Sequence, residues 1–334
     1  MKMKKFINAP ENLAPELLEG LAAAYPQKIK LEGKVVVRAQ PKSKDKVAVI
    51  TLGGAGHEPA LSGFVGYGML DASIVGDIFA APNAVAVFEG LKKFKDYAGI
   101  LLVVLNHAGD VMSANMAMKM AAREKINVKS VLVAEDISAG KDAAQKDRRG
   151  LAGCIPLFKV AGAAAEEGKT LDEVLAIAEK FNSRIATLAV AMTGCTHPQN
   201  GSPIAELAED EMEIGMGQHG EGGGGRTKIL TADETAKIMF GNLANAVGLK
   251  AGEKIFLIIN GTGACTPMEM SIVFRACAKL AAEMGAKVEC GIIDELLTVQ
   301  EMAGFQMILC VVDDAQLAAL NAKSNAPYWT SLGE

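Results

Sequence analysis

The chain has 334 residues, room for about two domains at roughly 100–200 residues each. Apolar residues make up 50% and charged residues 22%, with a net charge of −5. That balance excludes a disordered chain and, with no basic stripe, argues against a nucleic-acid partner. Cys154, Cys195, Cys265, Cys277, Cys290 and Cys310 form no Cys-x-x-Cys pair, so neither a zinc knuckle nor a thioredoxin motif is visible. Met1–Pro10 is basic but runs into no apolar leader segment, and the longest obvious apolar strand, Ile100–Leu105, is far too short to span a bilayer. The expectation is a cytoplasmic protein with reduced cysteines and no membrane contact.

Apolar runs of strand length alternate with helical patterns. Val47–Leu52 reads as a buried strand running into a glycine-rich loop. Ile100–Leu105 reads as another, followed by Asn106–Asp110, where Asp110 is placed to cap a helix. In that helix Met112, Met116 and Met120 recur every four residues and read as core packing. Val128–Ala134 predicts a strand, and 156–167 and 171–181 predict helices. The pattern then restarts with strands at Ile185–Met192 and Glu213–Met216. Thr231 and Glu234 form a capping-box pattern ahead of a helix of about four turns. Ile255–Asn260, Val288–Ile292 and Met307–Val312 complete the strands, with a helix over 268–284. Such strand–loop–helix units predict an α/β fold of two domains, with mainly parallel or mixed sheets flanked by helices. The break is placed near residue 183, giving domains 1–183 and 184–334.

All four histidines fall in loops, three of them with glycine nearby. His57 lies in Gly53-Gly54-Ala55-Gly56-His57-Glu58-Pro59, after a strand; His107 lies in Asn106–Asp110, also after a strand; His219 lies in Gly215–Glu221. In open α/β sheets ligands bind beyond the carboxyl ends of strands, and glycine lets backbone approach a small ligand. His197, before Pro198, reads better as a surface or capping residue. His107 is balanced between a ligand contact and a neighbour of a capping Asp110. Phosphate-loop readings fail: the third glycine of a dinucleotide fingerprint is missing after Gly56. Gly162 to Gly168-Lys169-Thr170 has five intervening residues and follows a helical pattern, so it reads as a helix end. Gly222–Gly225 with Arg226 reads as a mobile hinge or lid before an anion loop. His57, Asp110 and His219 form a 2-His-1-carboxylate metal set only if they converge.

Taken together, the motifs carry a resemblance. From about residue 5 to 329 the chain resembles the K, or substrate-binding, subunit family of dihydroxyacetone (glycerone) kinases. The matching segments, in the family's order, are Gly53–Ala60, Gly66–Pro82, Asn106–Asp110, Arg148–Gly153, Ala161–Glu166 and Glu211–Glu221. The resemblance implies that His219, as a neutral imidazole, attacks the carbonyl carbon of dihydroxyacetone to form a hemiaminal. Glycerol, with no carbonyl, cannot form that adduct. His57 and Asp110 would bind the substrate hydroxyls, Asp110 accepting the proton of the hydroxyl to be phosphorylated or orienting it, with His57 sharing the acid–base work. Gly54, Ala55, Gly56 and Gly109 would supply close backbone contacts. No cofactor or metal is expected on this chain. ATP or ADP with Mg²⁺ is expected on an L-type partner subunit, since the sequence ends at Glu334 without a fused domain. The resemblance also implies a homodimer, and as one donor route a further M subunit of the phosphotransferase system.

Several residues depart from the family pattern. Ala55 replaces a frequent serine, Leu61 a frequent histidine, Leu105 a lysine of some members, and His107-Ala108 the common Tyr-Thr. Gln218 replaces an aliphatic residue, and Gly222 a proline. The expected substrate is therefore dihydroxyacetone or a close ketose such as erythrulose. Two rivals stand beside this reading: a ketose-sensing coactivator without kinase activity, and an unrelated metal-dependent enzyme using His57, Asp110 and His219.

Overall fold

A computed structural model of the chain describes residues 4–140 and 142–333. Met1–Met3 of the basic start and the terminal Glu334 lie outside them. The first half runs α1 (Leu13–Ala24), β1 (Ile29–Glu32), β2 (Val35–Arg38), β3 (Val47–Ala55), β4 (Ala72–Ile78), α2 (Ala84–Lys92), β5 (Gly99–Leu105), α3 (Ala108–Arg123), β6 (Val128–Val133), α4 (Cys154–Glu166) and α5 (Leu171–Asn182). The second half runs β7 (Ile185–Ala191), β8 (Cys195–Thr196), β9 (Pro203–Ile204), β10 (Glu211–Ile214), β11 (Arg226–Lys228), α6 (Ala232–Val247), β12 (Lys254–Gly261), α7 (Pro267–Glu283), β13 (Lys287–Asp294), β14 (Gly304–Val312), α8 (Asp314–Asn321), β15 (Ser324–Ala326) and β16 (Trp329–Ser331).

Two six-stranded sheets organise these elements, in the orders β1-β2-β4-β3-β5-β6 and β11-β10-β7-β14-β12-β13. In the first, β4, β3, β5 and β6 are parallel neighbours, and β1 and β2 form an antiparallel edge. In the second, only β12 and β13 are parallel, because β14 inserts between β7 and β12 antiparallel to both. Both sheets are thus mixed, and the second is mainly antiparallel. Hydrophobic periodicity shows that a strand is buried on both faces but not which way its neighbour runs.

Alternate side chains of each sheet enter different cores. Ile50, Leu52 and Leu102 pack against α2 and α3; Val49, Leu101 and Val103 face α4 and α5. From the other side Ile258, Ile308 and Cys310 meet that same central cluster, while Leu257, Ile259 and Leu309 pack on α6 and α7. Helix α4 therefore lies between the sheets, and Cys154 through Ala165 are all buried. Gly162 sits inside it, where an added Cβ would come within 2.5 Å of the Met69 carbonyl oxygen. The Walker-like spacing thus ends in helix packing and in Thr170, which caps α5 through a capping box with Glu173. Thr231 and Glu234 form the expected capping box at α6.

Three expectations need correction. The methionine stripe is core only at its end: Met120 packs on the cluster, but Met112 and Met116 are 70% and 52% exposed, and α3 buries Ala114, Ala117 and Ala121, whose small side chains let the helix lie close to the sheet. Asp110 does not cap α3: the cap position is His107, and no side chain bonds there. The glycine run after His219 is not an open hinge: a Cβ on Gly224 would fall 1.7 Å from the Ile214 carbonyl oxygen, so the run packs its backbone on the end of β10. Arg226 there faces Glu213 at 3.6 Å rather than an anion. The six cysteines are free. Among the described residues, no helix is long and apolar enough to cross a membrane. The chain's last elements return to its first half, where Tyr67 bridges Asn325 and Lys28 bonds the Ala326 carbonyl at 2.9 Å.

Candidate active site

Neighbouring parallel strands β3 and β5 end side by side; the loop after β3 carries His57, and the first turn of α3, which follows β5, carries Asp110. This is the position where α/β sheets expose loops to ligands. The loop after β10, in the second sheet, brings His219 to the same place. Arg149 holds that loop from the first half: its guanidinium donates to the carbonyls of Gly215 at 2.7 Å and Glu221 at 3.1 Å, and to Asp136 at 2.7 Å. Gly54 is required where its loop passes the 80–81 backbone, since a Cβ there would lie 2.7 Å from the Ala80 nitrogen.

His57 is buried, and its Nδ1 lies 2.8 Å from the Thr298 carbonyl. A carbonyl only accepts, so Nδ1 carries the proton and Nε2 presents a lone pair. Burial, followed by the adjacent His219, pushes the His57 pKa down to about 3. Its Nε2 lies 3.1 Å from Nε2 of His219. On the other side of the His219 ring, Nδ1 faces Glu221 Oε1 at 3.4 Å, while Glu221 Oε2 accepts from the His219 backbone N–H at 2.9 Å. Burial works to raise the Glu221 pKa, but its hydrogen bonds to His219 outweigh that and bring it to about 2. Glu221 is therefore a carboxylate that fixes the ring's orientation, as the third member of a nucleophilic triad does.

Asp110 is buried, and its Oδ1 has no hydrogen-bond partner among the described residues. Burial raises its pKa to about 7, against the opposing pull of His219. A buried acceptor left unpaired is costly, which marks it as aimed at a ligand. A cavity of about 40 Å³ joins Gly53, Gly54, His57, Phe79, His107, Asp110, Gln218 and His219. That is room for about one water, so the two histidine rings must part to admit anything larger. A roomier cavity of about 400 Å³ lies under α1, lined by Leu17, Tyr25, Leu61 and Tyr328 and by no histidine. The smaller one is the candidate site, because it brings together His219, the unpaired Asp110 carboxyl and the buried His57 ring.

Of the residues singled out in sequence, His57, Asp110, His219 and Gly54 line this cavity. Ala55, Gly56 and Gly109 do not. Ala55 buries its methyl and edges the cavity under α1; Gly56 donates its N–H to Glu58 at 2.9 Å; Gly109 packs on Ala81. His197 stands outside, its Nδ1 accepting from the Gln199 N–H at 3.2 Å and its ring edge-on to Phe79, as a capping residue does. Among the described residues the group of donor atoms within 4.8 Å of one another is His107, His219 and Glu221, not the set of His57, Asp110 and His219. Glu221, Thr298, Gln218 and Phe79 carried no role in the sequence reading. Glu221 and Gln218 left a signal, lying two residues after His219 and directly before it; Thr298 lies 241 positions from His57.

Residues 19–328 match the family model of the Dak1 domain. A relative from Listeria innocua, "PTS-dependent dihydroxyacetone kinase 1, dihydroxyacetone-binding subunit DhaK", is 36% identical over 93% of this chain and 95% of its own. The L-erythrulose kinase of Pectobacterium atrosepticum is 35% identical over 97% of this chain and 56% of its own. Among solved structures, the dihydroxyacetone kinase of C. freundii in complex with AMP-PNP and Mg²⁺ matches with a TM-score of 0.91 at 32% identity, covering 99% of this chain and 61% of that one. The dihydroxyacetone kinase operon co-activator DhaQ matches with a TM-score of 0.89 at 31% identity, covering 95% and 98%. The chain belongs to the Dak1-domain family, the family of the dihydroxyacetone-binding kinase subunits.

Proposed function

We propose that this chain is the ketose-holding subunit of a dihydroxyacetone-type kinase, and that it holds the substrate as a hemiaminal on His219. The observation that carries the reading is the His57–His219–Glu221 chain, with contacts of 3.1 Å and 3.4 Å, ending in the cavity that also holds the unpaired Asp110. Facing the Glu221 carboxylate, Nδ1 of His219 carries the proton of the neutral ring, and its Nε2 lone pair faces the cavity beside Nε2 of His57.

The reaction follows from these positions. The ketone enters between the rings. The Nε2 lone pair of neutral His219 forms a bond to the carbonyl carbon. The carbonyl π pair moves to oxygen, which takes up one proton from solvent beside His57 Nε2 and becomes the hemiaminal hydroxyl. The alkylated imidazolium keeps Nδ1–H paired to Glu221, so charge and atoms balance. Asp110, as the carboxylate, then accepts or orients the proton of a free hydroxyl, and phosphoryl transfer to that oxygen needs mainly positioning and charge stabilisation. The nucleotide with Mg²⁺ belongs to an L-type partner in this reading, and the phosphoryl group comes either from ATP directly or from the phosphotransferase system through an M subunit. A homodimer and domains split near residue 183 are part of the same reading.

Native mass spectrometry with dihydroxyacetone, erythrulose and glycerol tests it. Adducts with the ketones alone, abolished by His219→Ala, are expected; no adduct with either ketone refutes it. The likeness to the co-activator favours one second reading, a ketose sensor without kinase activity. Mixing the chain with an L subunit and nucleotide separates the two: a sensor forms the adduct but yields no phosphorylated ketose.

A further inference from the structure

The amide of Gln218 is a polar group in the cavity wall that the mechanism above does not use. Gln218 is 4% exposed, and one end of its amide has no hydrogen-bond partner among the described residues. The other end lies 2.9 Å from His107 Nε2. That ring nitrogen also lies 2.8 Å from the Gly150 carbonyl, which can only accept, so Nε2 carries the proton. A single N–H that serves both neighbours needs an oxygen on each. The Gln218 amide is therefore oriented with its oxygen toward His107, an orientation set by the hydrogen-bond network. Its NH₂ is then the end that is buried and unpaired.

The oxygens of a three-carbon ketone are already spoken for. The carbonyl oxygen becomes the hemiaminal hydroxyl beside His57. On the same reading one hydroxyl goes to Asp110, and Gly53 and Gly54 stand in the same wall for the other. The Gln218 NH₂ is one donor more, and a triose brings no fourth oxygen. A four-carbon ketose does. We infer that Gln218, oriented by His107, is a specificity-determining residue that donates to the additional hydroxyl of a ketotetrose such as erythrulose. The inference rests on the hemiaminal reading of the site. It has a clear energetic basis: a buried donor satisfied by one ligand and orphaned by another discriminates between them more sharply than apolar contact does.

The test is a titration of the intact chain with erythrulose and with dihydroxyacetone, following the His219 adduct by native mass spectrometry. The wild type is expected to hold erythrulose more tightly. Gln218→Leu should lower the erythrulose-to-dihydroxyacetone affinity ratio by about five- to tenfold. Gln218→Glu keeps the side chain's size and an oxygen for His107 but removes the donor, and should lower the ratio likewise; it carries the test if the leucine variant does not fold. A wild type that prefers dihydroxyacetone, or a ratio unmoved in the variants, overturns the inference and leaves the hemiaminal reading standing. A wild type with no adduct at all overturns both.

Discussion

Replacing Glu221 by glutamine removes the charge that faces His219 Nδ1 and keeps the shape of the side chain. The two groups lie 3.4 Å apart. Coulomb's law at that distance gives about 5 kcal/mol at an effective dielectric of 20 and about 1 kcal/mol at that of water. The Glu221 side chain is 42% exposed, so the screened end of that range applies. About 1.5 kcal/mol remains, which is about a tenfold change in an equilibrium constant. Glu221→Gln should therefore weaken adduct formation about tenfold, because the alkylated imidazolium loses its counter-charge. The assay is the ketone concentration that converts half the chain to adduct, read by intact mass at fixed pH. Rescue is expected from Glu221→Asp only in part, since the shorter side chain draws the carboxylate back from the ring. An adduct equilibrium unchanged in Glu221→Gln would refute the role given to this pair. It would leave His219 acting with no help beyond His57.

Asp110→Asn should keep the adduct but cut phosphoryl transfer by about 10²–10⁴ with a competent L subunit; adduct loss would show that Asp110 binds rather than reacts. Burial holds the Asp110 pKa at about 7 against an ordinary 3.8, so the folded state binds the proton more tightly than the unfolded state. Its contribution to stability is full below pH 3.8 and is lost as pH rises to about 7, so Asp110→Asn should melt higher than wild type at pH 8, by an amount on the order of 2–4 kcal/mol. Gly54→Ala should abolish the adduct, since its Cβ meets the Ala80 nitrogen at 2.7 Å and backbone must shift; retained affinity would show that the 80–81 segment yields freely. Lys159 is fully buried with the Ala319 carbonyl at 2.7 Å as its one partner among the described residues, and burial lowers its pKa to about 8. Stability should rise between pH 8 and 10.5 as the unfolded chain alone keeps that proton, and the rise should be absent in Lys159→Met denaturation curves.

Elements with strong local signals were legible. Val47–Leu52 and Ile100–Leu105 read as apolar runs and lie in strands buried on both faces, and the capping box at Thr231 fixes its helix start by local hydrogen bonds. Other elements left weak traces. β4 lies within a glycine-rich stretch, α1 carries a proline and a glycine, and β1 and β2 are four residues each. The methionine stripe misled because period alone does not say which face of α3 meets the sheet; close packing selected the alanines. In the second sheet, direction was decided by β14 pairing with strands distant in sequence.

By itself the sequence determined an α/β chain and pointed to His57, Asp110 and His219 as candidate site residues, although Asp110 lies in the first turn of α3 rather than in a loop. Glycine next to a histidine after an apolar run is a local pattern, and local patterns are written in adjacent residues. Only the tertiary structure decided that His57 and His219, 162 positions apart, stand ring to ring, and that Thr298, from another part of the chain, sets the tautomer of His57. It alone turned Glu221 toward His219, left Asp110 unpaired, and joined Gln218 to His107 across 111 positions. The physical reason is that proton positions and nucleophile strength depend on distance and burial, which arise when two sheets close over a shared helix and not from any one segment of chain.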